Sequence, residues 1–196
     1  VAACIDITRE SSAAEMLRLV DKLGGMDIYC HVSGIGAQNP TLDPAVELRT
    51  METNVMGFTR MVTAAYNYFA RQGGGQIAVV TSVAGTRGLG SATAYSASKR
   101  LQNSYLDALS QLSRMRKLRI TFTDIRPGFV ATDLLNKAHH YPMLMPLQPV
   151  ARKVFRAIER RRRRVVIDWR FAVLVFFWRL IPAGLWERMP VRVIKN

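Results

Sequence analysis

The segment 76–82, with the sequence QIAVVTS, limits the folds open to this chain more than any other feature. Ile and Val dominate it, a run of three glycines precedes it, and a second glycine-rich stretch follows. Such a composition suits a strand in a parallel sheet that helices cover on both faces. The segment therefore predicts an α/β protein.

Short apolar runs alternate with stretches of helical period along the rest of the chain. Further strands are predicted at residues 2–7, 26–32, 119–125 and 165–168. Helices are predicted at residues 11–23, 44–50, 52–72, 94–117 and 149–164. This alternation indicates one doubly wound sheet, in which ligands bind at the carboxyl ends of the strands. The loops 33–40, 83–93 and 127–147 fall at that edge.

A hydroxyl, a phenol and an ammonium group are predicted to converge there. Tyr95 and Lys99 are four residues apart at the start of a predicted helix, so their side chains share one face. Ser82 ends the preceding strand, and the loop between them can bring it back to face Tyr95. Free Tyr has a pKa of about 10, and a nearby ammonium lowers it towards the range of acid–base catalysis. The group suits proton transfer to an oxygen that gains or loses negative charge.

This order of residues resembles the classical short-chain dehydrogenase/reductase family, in which a strand-end Ser precedes a Y-x-x-x-K helix. Four further features match: Asp6 after the first predicted strand, Asn54 in TNVMG, the RPG turn at 126–128, and VAT at 130–132. Together they span the chain to about residue 132. The resemblance implies a Rossmann-like fold and NAD(P)-dependent interconversion of an alcohol and a ketone or aldehyde.

The resemblance also implies a catalytic role for four residues. Tyr95 would be the general acid and base, and Ser82 would orient the substrate oxygen. Lys99 would lower the pKa of Tyr95 and bind the ribose hydroxyls of the cofactor. Asn54 would hold a water that relays protons through Lys99. On the residues alone, Tyr95 and Lys99 also fit a surface helix pair, and Asn54 fits a polar core residue.

By the same resemblance, several residues would contact the cofactor, namely Asp6, Ile7, Gly34, Tyr95, Lys99, Val130 and Thr132. Asp6 and Ile7 would lie beside the adenine and Gly34 under the adenosine ribose. Val130 and Thr132 would hold the nicotinamide carboxamide. Asp6 fits a helix N-cap equally well. The net charge of +14 slightly favours NADP over NAD because of its extra phosphate.

Two departures from the family pattern stand out. Residues 31–34 read His-Val-Ser-Gly where the family commonly has N-N-A-G, so both amides are lost. This change keeps open a second hypothesis, a non-catalytic protein that senses nucleotides or binds a membrane. The glycine-rich phosphate loop T-G-x-x-x-G-x-G and the β-α-β-α units that carry it do not occur before Asp6. Since the family's strand order is 3-2-1-4-5-6-7, we expect about 50 to 60 further residues ahead of Val1.

The composition of residues 169–196 differs from that of residues 1–168, which would form the catalytic domain. The last segment combines Arg with Trp and Phe, and a run of five Arg residues lies just before it at 160–164. Two interpretations stay open: a C-terminal packing segment, or peripheral attachment to an anionic membrane. No base-stacking or groove-reading motif accompanies the charge, so specific nucleic-acid binding is not expected.

The remaining expectations concern compartment, metals and assembly. Cys4 and Cys30 lie in apolar runs, which predicts small core residues in a reducing, cytoplasmic compartment. No Cys or His spacing indicates a metal site. The family commonly forms dimers or tetramers through its two long helices, here about 52–72 and 94–117. We therefore expect a homo-oligomer that acts on a small carbonyl or alcohol substrate.

Overall fold

The computed structural model describes residues 1–135 and 140–191. Four parallel strands form one sheet in the order β1-β2-β3-β4. The strands are β1 Ile28–His31, β2 Gly75–Val80, β3 Ile120–Pro127 and β4 Arg164–Ile167. The register places Tyr29 opposite Ile77 and Ile77 opposite Phe122. The predicted α/β class and doubly wound parallel sheet are confirmed.

Helices connect the strands and pack on both faces of the sheet. They are α1 Ser12–Lys22, α2 Pro44–Met51, α3 Phe58–Gln72, α4 Thr93–Met115, α5 Leu147–Glu159, α6 Trp169–Leu180 and α7 Ala183–Arg188. A π-helix, Glu52–Gly57, joins α2 to α3 without a break. One turn of 3₁₀-helix, Val83–Thr86, follows β2. Residues 169–196 were distinguished in the sequence by their composition alone. The described part of this segment contains the two helices α6 and α7.

Two apolar clusters, one on each face of the sheet, form the core. Neighbouring residues of β2 point to opposite faces, so Ile77 belongs to the first cluster and Ala78 to the second. The first cluster packs Phe58 and Phe69 of α3 against the sheet, and the second packs Phe171 of α6. Full burial of a Phe side chain stabilises a fold by about 1.5–3 kcal/mol.

The predicted strand at residues 2–7 is wrong. Residues 1–6 have no regular structure, and a turn follows in which the Asp6 carboxylate accepts hydrogen bonds from the N–H and the hydroxyl of Thr8. A strand needs a neighbour for its backbone N–H and C=O groups. Within the described residues β1 pairs with β2 alone, so the segment has no ladder to join.

Two further features of the structure concern the cysteines and the length and polarity of the helices. Cys4 and Cys30 are both exposed, so the prediction that they are core residues is wrong. Cys30 lies on β1, which is an edge strand among the described residues. Ile28, two residues earlier on the same face of this strand, is exposed as well. In the described part of the chain, every helix is too short or too polar to cross a bilayer.

Candidate active site

The carboxyl edge of the sheet brings together the side chains of Ser82, Tyr95 and Lys99. Ser82 follows β2, and Tyr95 and Lys99 lie in the first two turns of α4. Glu47 of α2 fixes the start of α4, because its carboxylate accepts hydrogen bonds from the hydroxyl of Thr93 and the N–H of Ala94. A carboxylate at a helix N-terminus also interacts favourably with the helix dipole. The first turn of α4, which carries Tyr95, is therefore held in place.

Ser82 is buried and caps the 3₁₀ turn. Its Oγ accepts a hydrogen bond from the N–H of Ala84 at 3.0 Å and donates a long one to the carbonyl of Pro127 at 3.5 Å. The same hydroxyl is close enough to the phenol of Tyr95 to lower the pKa of that phenol. The two hydroxyls that the sequence predicted to face each other therefore do so.

Burial sets the acidity of Tyr95. It raises the pKa of the phenol, and the nearby hydroxyl of Ser82 opposes this shift in part. This direction is opposite to the lowering by Lys99 that the sequence suggested. The Nζ of Lys99 lies 5.9 Å from the centre of the Tyr95 ring. A Cβ on Gly36 would lie 2.9 Å from that ring, so the glycine allows the backbone to pack against it.

Lys99 is almost completely buried, with 5% of its surface exposed. Its Nζ donates hydrogen bonds to the carbonyl of Val80 at 3.2 Å and to Oε1 of Gln102 at 3.1 Å. Burial lowers the pKa of Lys99 to about 8, and the negative charge of Asp124 opposes the shift. At neutral pH the side chain is therefore mainly a cation, and a modest rise in pH removes its proton.

Asn54 lies in the π-helix and is fully buried. Its Oδ1 accepts from the N–H of Ile35 at 2.9 Å, and its Nδ2 donates to the carbonyl of Ile35 and to the hydroxyl of Ser98. The side chain therefore clamps the loop after β1 onto α4. Its backbone carbonyl accepts from Nε2 of Gln102 at 2.9 Å.

Gly34 borders the same space. A Cβ at this position would lie 3.2 Å from Oδ1 of Asn54 and 3.5 Å from Nζ of Lys99. The backbone of Gly34 thus leaves open the approach to a buried ammonium, which is suited to binding hydroxyl groups such as those of a ribose.

The other residues predicted to contact a cofactor lie on two sides of this centre. Asp6 is exposed, and Ile7 packs its side chain against Gly57 in the core. Ser11, not Asp6, occupies the N-cap position of α1. Val130 forms an isolated bridge with Met145, and the Thr132 hydroxyl donates to the carbonyl of Val130 at 3.4 Å. Val130 and Thr132 are half-buried in the loop after β3.

Three buried polar residues of the site were not recognised from the sequence. Gln102 lies one turn beyond Lys99, and its spacing alone gives no signal for a role. Asp124 accepts hydrogen bonds from the hydroxyl of Thr81 at 2.6 Å and from Nε of Arg126 at 2.8 Å. His31 is 2% exposed, and its substitution for the family's first Asn was the only signal available. Across residues 1–135 and 140–191, no group of three His, Cys, Asp or Glu side chains could hold a metal ion.

Comparison with protein families and curated proteins gives consistent matches. The family model described as short chain dehydrogenase matches residues 1–141. An uncharacterized oxidoreductase of Myxococcus xanthus is 29% identical over 188 residues, which cover 93% of this chain and 73% of that protein. Dehydrogenase/reductase SDR family member 7B of Xenopus tropicalis is 28% identical over 201 residues, covering 95% of this chain. The match spans 63% of the length of that protein.

Solved structures show the same fold. A short chain dehydrogenase from Burkholderia cenocepacia, in complex with NADP, has a TM-score of 0.79 at 20% identity. The match covers 96% of this chain and 77% of that protein. A short chain dehydrogenase/reductase from Burkholderia phymatum, in complex with NAD, has a TM-score of 0.81 at 18% identity over all of this chain and 80% of that protein. At these identities, the likeness shows the fold alone.

Proposed function

The chain belongs to the short-chain dehydrogenase/reductase family, and from this membership we propose that Tyr95 is the general acid and base of an NAD(P)-dependent interconversion of an alcohol and a carbonyl compound. The family makes the chain an oxidoreductase that acts on CH–OH groups. The observation that carries the finer proposal is the pairing of the Tyr95 phenol with Ser82 beside the buried ammonium of Lys99.

In the direction of reduction, the chain's own residues manage the oxygen of the substrate. Ser82 donates a hydrogen bond to the carbonyl oxygen, and Tyr95 transfers its phenolic proton to that oxygen as negative charge develops on it. The bound cofactor supplies the hydride to the carbonyl carbon. The product alcohol thus gains one hydride and one proton, and Tyr95 is left as a phenolate that the Lys99 ammonium stabilises. Oxidation reverses each transfer.

The residues present fit the nicotinamide half of the cofactor. Lys99 and Tyr95 would bind the nicotinamide ribose, Val130 and Thr132 would hold the carboxamide, and Gly34 would lie under the adenosine ribose. Asp6 would face the adenine end. Two proteins of similar fold are in complex with NADP and NAD, respectively, which supports both cofactors equally. The net charge of +14 supports a preference for NADP, which the dissociation constants of NADPH and NADH would test.

Replacing Tyr95 by Phe tests the mechanism, because it removes one hydroxyl and keeps the ring. We expect kcat for reduction of a panel of ketones and aldehydes to fall by about 10²–10⁴-fold, the usual contribution of a positioned acid or base. The dissociation constant of NADPH should change far less, by at most about tenfold, since the ring still fills its place and only one hydrogen bond to the ribose is lost.

Tyr66→Phe is the matched control. Tyr66 is buried on α3 and its hydroxyl has no hydrogen-bond partner in the described residues, so kcat should not change. A Tyr95→Phe protein with undiminished kcat would exclude Tyr95 as the acid and base. A wild-type protein that binds NADPH and turns over no carbonyl substrate would exclude the catalytic function itself.

We also propose that the chain forms a homodimer or homotetramer through α3 and α4. Family members commonly assemble in this way. On α4, Leu101, Leu112 and Met115 are exposed apolar side chains, which supports a contact there. Light scattering at several protein concentrations measures the number of copies.

Finally, we propose that α6 contacts an anionic membrane surface. Four large apolar side chains of α6 are more than half exposed, and we call them the α6 outer face: Trp169, Phe176, Phe177 and Leu180. Arg170 and Arg179 lie on the same helix, and Arg179 is near its end. Aromatic side chains beside Arg suit the headgroup region of anionic lipids. Binding to lipid vesicles tests this proposal.

A further inference from the structure

Gln102 is fully buried, and its side chain forms hydrogen bonds with both Lys99 and the backbone of Asn54. It lies three residues after Lys99 on α4, and therefore on the same side of the helix. Its Oε1 accepts a hydrogen bond from Nζ of Lys99 at 3.1 Å. Its Nε2 donates to the backbone carbonyl of Asn54 at 2.9 Å. The amide thus connects the ammonium of the site to the π-helix.

The π-helix makes the carbonyl of Asn54 available for this contact. In a regular α-helix, the N–H of Phe58 would bond to the carbonyl of Asn54, four residues earlier. In this chain, that N–H bonds to the carbonyl of Thr53, five residues earlier, and to that of Val55. The displaced carbonyl is buried and needs another donor. Gln102 supplies it.

The chemistry of its two partners fixes the orientation of the Gln102 amide. A backbone carbonyl only accepts hydrogen bonds, and an ammonium only donates them. The amide oxygen must therefore face Lys99, and the amide nitrogen must face Asn54. The carbonyl of Val80 accepts a second hydrogen bond from the same ammonium. Two carbonyl dipoles therefore stabilise the buried cation of Lys99.

We propose that Gln102 is a positioning residue, which ties Lys99 to the π-helix and keeps its ammonium charged and beside Tyr95. The proposal rests on the proposed role of Lys99 in the reaction. Among the described residues, three other titratable groups interact with Lys99: Tyr95 on the same helix, His31 from β1 and Asp124 from β3. Of these, Asp124 favours the cation, whereas a charged His31 would disfavour it.

The test replaces Gln102 by Met, which keeps the length of the side chain and removes both hydrogen bonds. In reduction, activity should fall at high pH as Lys99 loses its proton. Loss of one hydrogen bond to the cation should move this basic limb of kcat to lower pH by about one unit. Gln111→Met is the matched control, because Gln111 is exposed on the same helix; its pH profile should coincide with that of the wild type.

Gln102→Glu provides the opposite change and does not depend on the stability of the Met variant. A carboxylate still accepts from Lys99 and adds a negative charge, so the basic limb should move to higher pH. A purely structural role would lower the thermal stability of both variants without moving the limb in either direction. That result would overturn the proposal.

A direct titration separates this proposal from the proposed function. The Cε signal of ¹³C-labelled Lys99, identified by its loss in Lys99→Arg, can be followed by NMR from pH 6 to 11 in all three proteins. We expect a lower midpoint in Gln102→Met and a higher one in Gln102→Glu than in the wild type. Equal midpoints would overturn the role of Gln102. If the wild type shows no turnover, the enzymatic function fails, and the titration still decides whether Gln102 controls the charge of Lys99.

Discussion

At the scale of single residues, the site depends on titratable groups that the protein buries. The Nδ1 of His31 and the hydroxyl of Tyr29 share a hydrogen bond of 2.9 Å, and the ring of His31 packs edge-on against Phe58. Burial lowers the pKa of His31 to about 4, and the positive charge of Lys99 acts in the same direction. The imidazole is therefore neutral at neutral pH.

This burial predicts a specific loss of stability in acid. Between pH 6.5 and 4 the unfolded chain binds a proton on His31 and the folded chain does not, so the free energy of unfolding falls as the pH falls. The full effect is about 3 kcal/mol. In His31→Asn, the slope of unfolding free energy against pH should be shallower over this range, as measured by urea titration.

An unchanged slope in His31→Asn would show that His31 takes up its proton in the folded state.

Residues of the site could be predicted from the sequence only where the chemistry leaves a pattern. Tyr95, Lys99 and Ser82 stand at spacings that an active site needs, and the structure brings their side chains together. Gln102 gives no such pattern, since its contact with Asn54 depends on a carbonyl that only the π-helix displaces. The sequence also could not predict the direction in which the pKa of Tyr95 shifts, because the burial that raises this pKa is a property of the folded chain.

At the scale of elements, α6 is part of the fold and also part of its surface. The ring of Phe171 lies directly over Gly128, where a Cβ would collide with it, and Phe171 and Val175 pack with Ile125 and Ile167.

The periodicity of the sequence predicted the strands β1 to β4 to within a few residues, since each strand is buried on at least part of its length. It failed for residues 2–7, because strand formation depends on a neighbour that no local pattern specifies.

The attachment of α6 can be measured through Phe171. Phe171→Ala should lower the free energy of unfolding by about 3–5 kcal/mol, the usual cost of a buried Phe→Ala change. Phe177→Ala, on the same helix and 61% exposed, should change it by less than about 0.5 kcal/mol. Equal effects in denaturant titrations would mean that α6 does not pack on the sheet in solution.

At the scale of the whole molecule, charge and apolar surface combine at the C-terminal part of the chain. The chain has 28 basic and 14 acidic residues. The α6 outer face lies on a helix whose other side is fixed to the core, so these apolar side chains cannot turn inward. A positively charged protein with a fixed apolar surface binds best where negative charge and hydrocarbon occur together.

Vesicle binding should therefore depend on both features. With vesicles of three parts phosphatidylcholine and one part phosphatidylserine, we expect most of the protein to sediment at 0.1 M salt, and much less at 0.5 M salt or without phosphatidylserine. Phe177→Ser should weaken binding several-fold. Phe155→Ser is the matched control, because Phe155 is 65% exposed on α5 and should not affect binding. Equal binding by the wild type and Phe177→Ser would exclude the α6 outer face as the contact.

The π-helix also determines how the two halves of a long helical segment face their neighbours. Successive residues of an α-helix are rotated by about 100°, so the one extra residue in its wide turn offsets α2 from α3 by about that angle. With this offset, Glu47 reaches α4 while Phe58 and Phe69 reach the sheet. Deleting any one residue of Glu52–Gly57 would leave a regular helix that could satisfy only one of these two contacts. The length of this segment is therefore constrained in addition to its sequence.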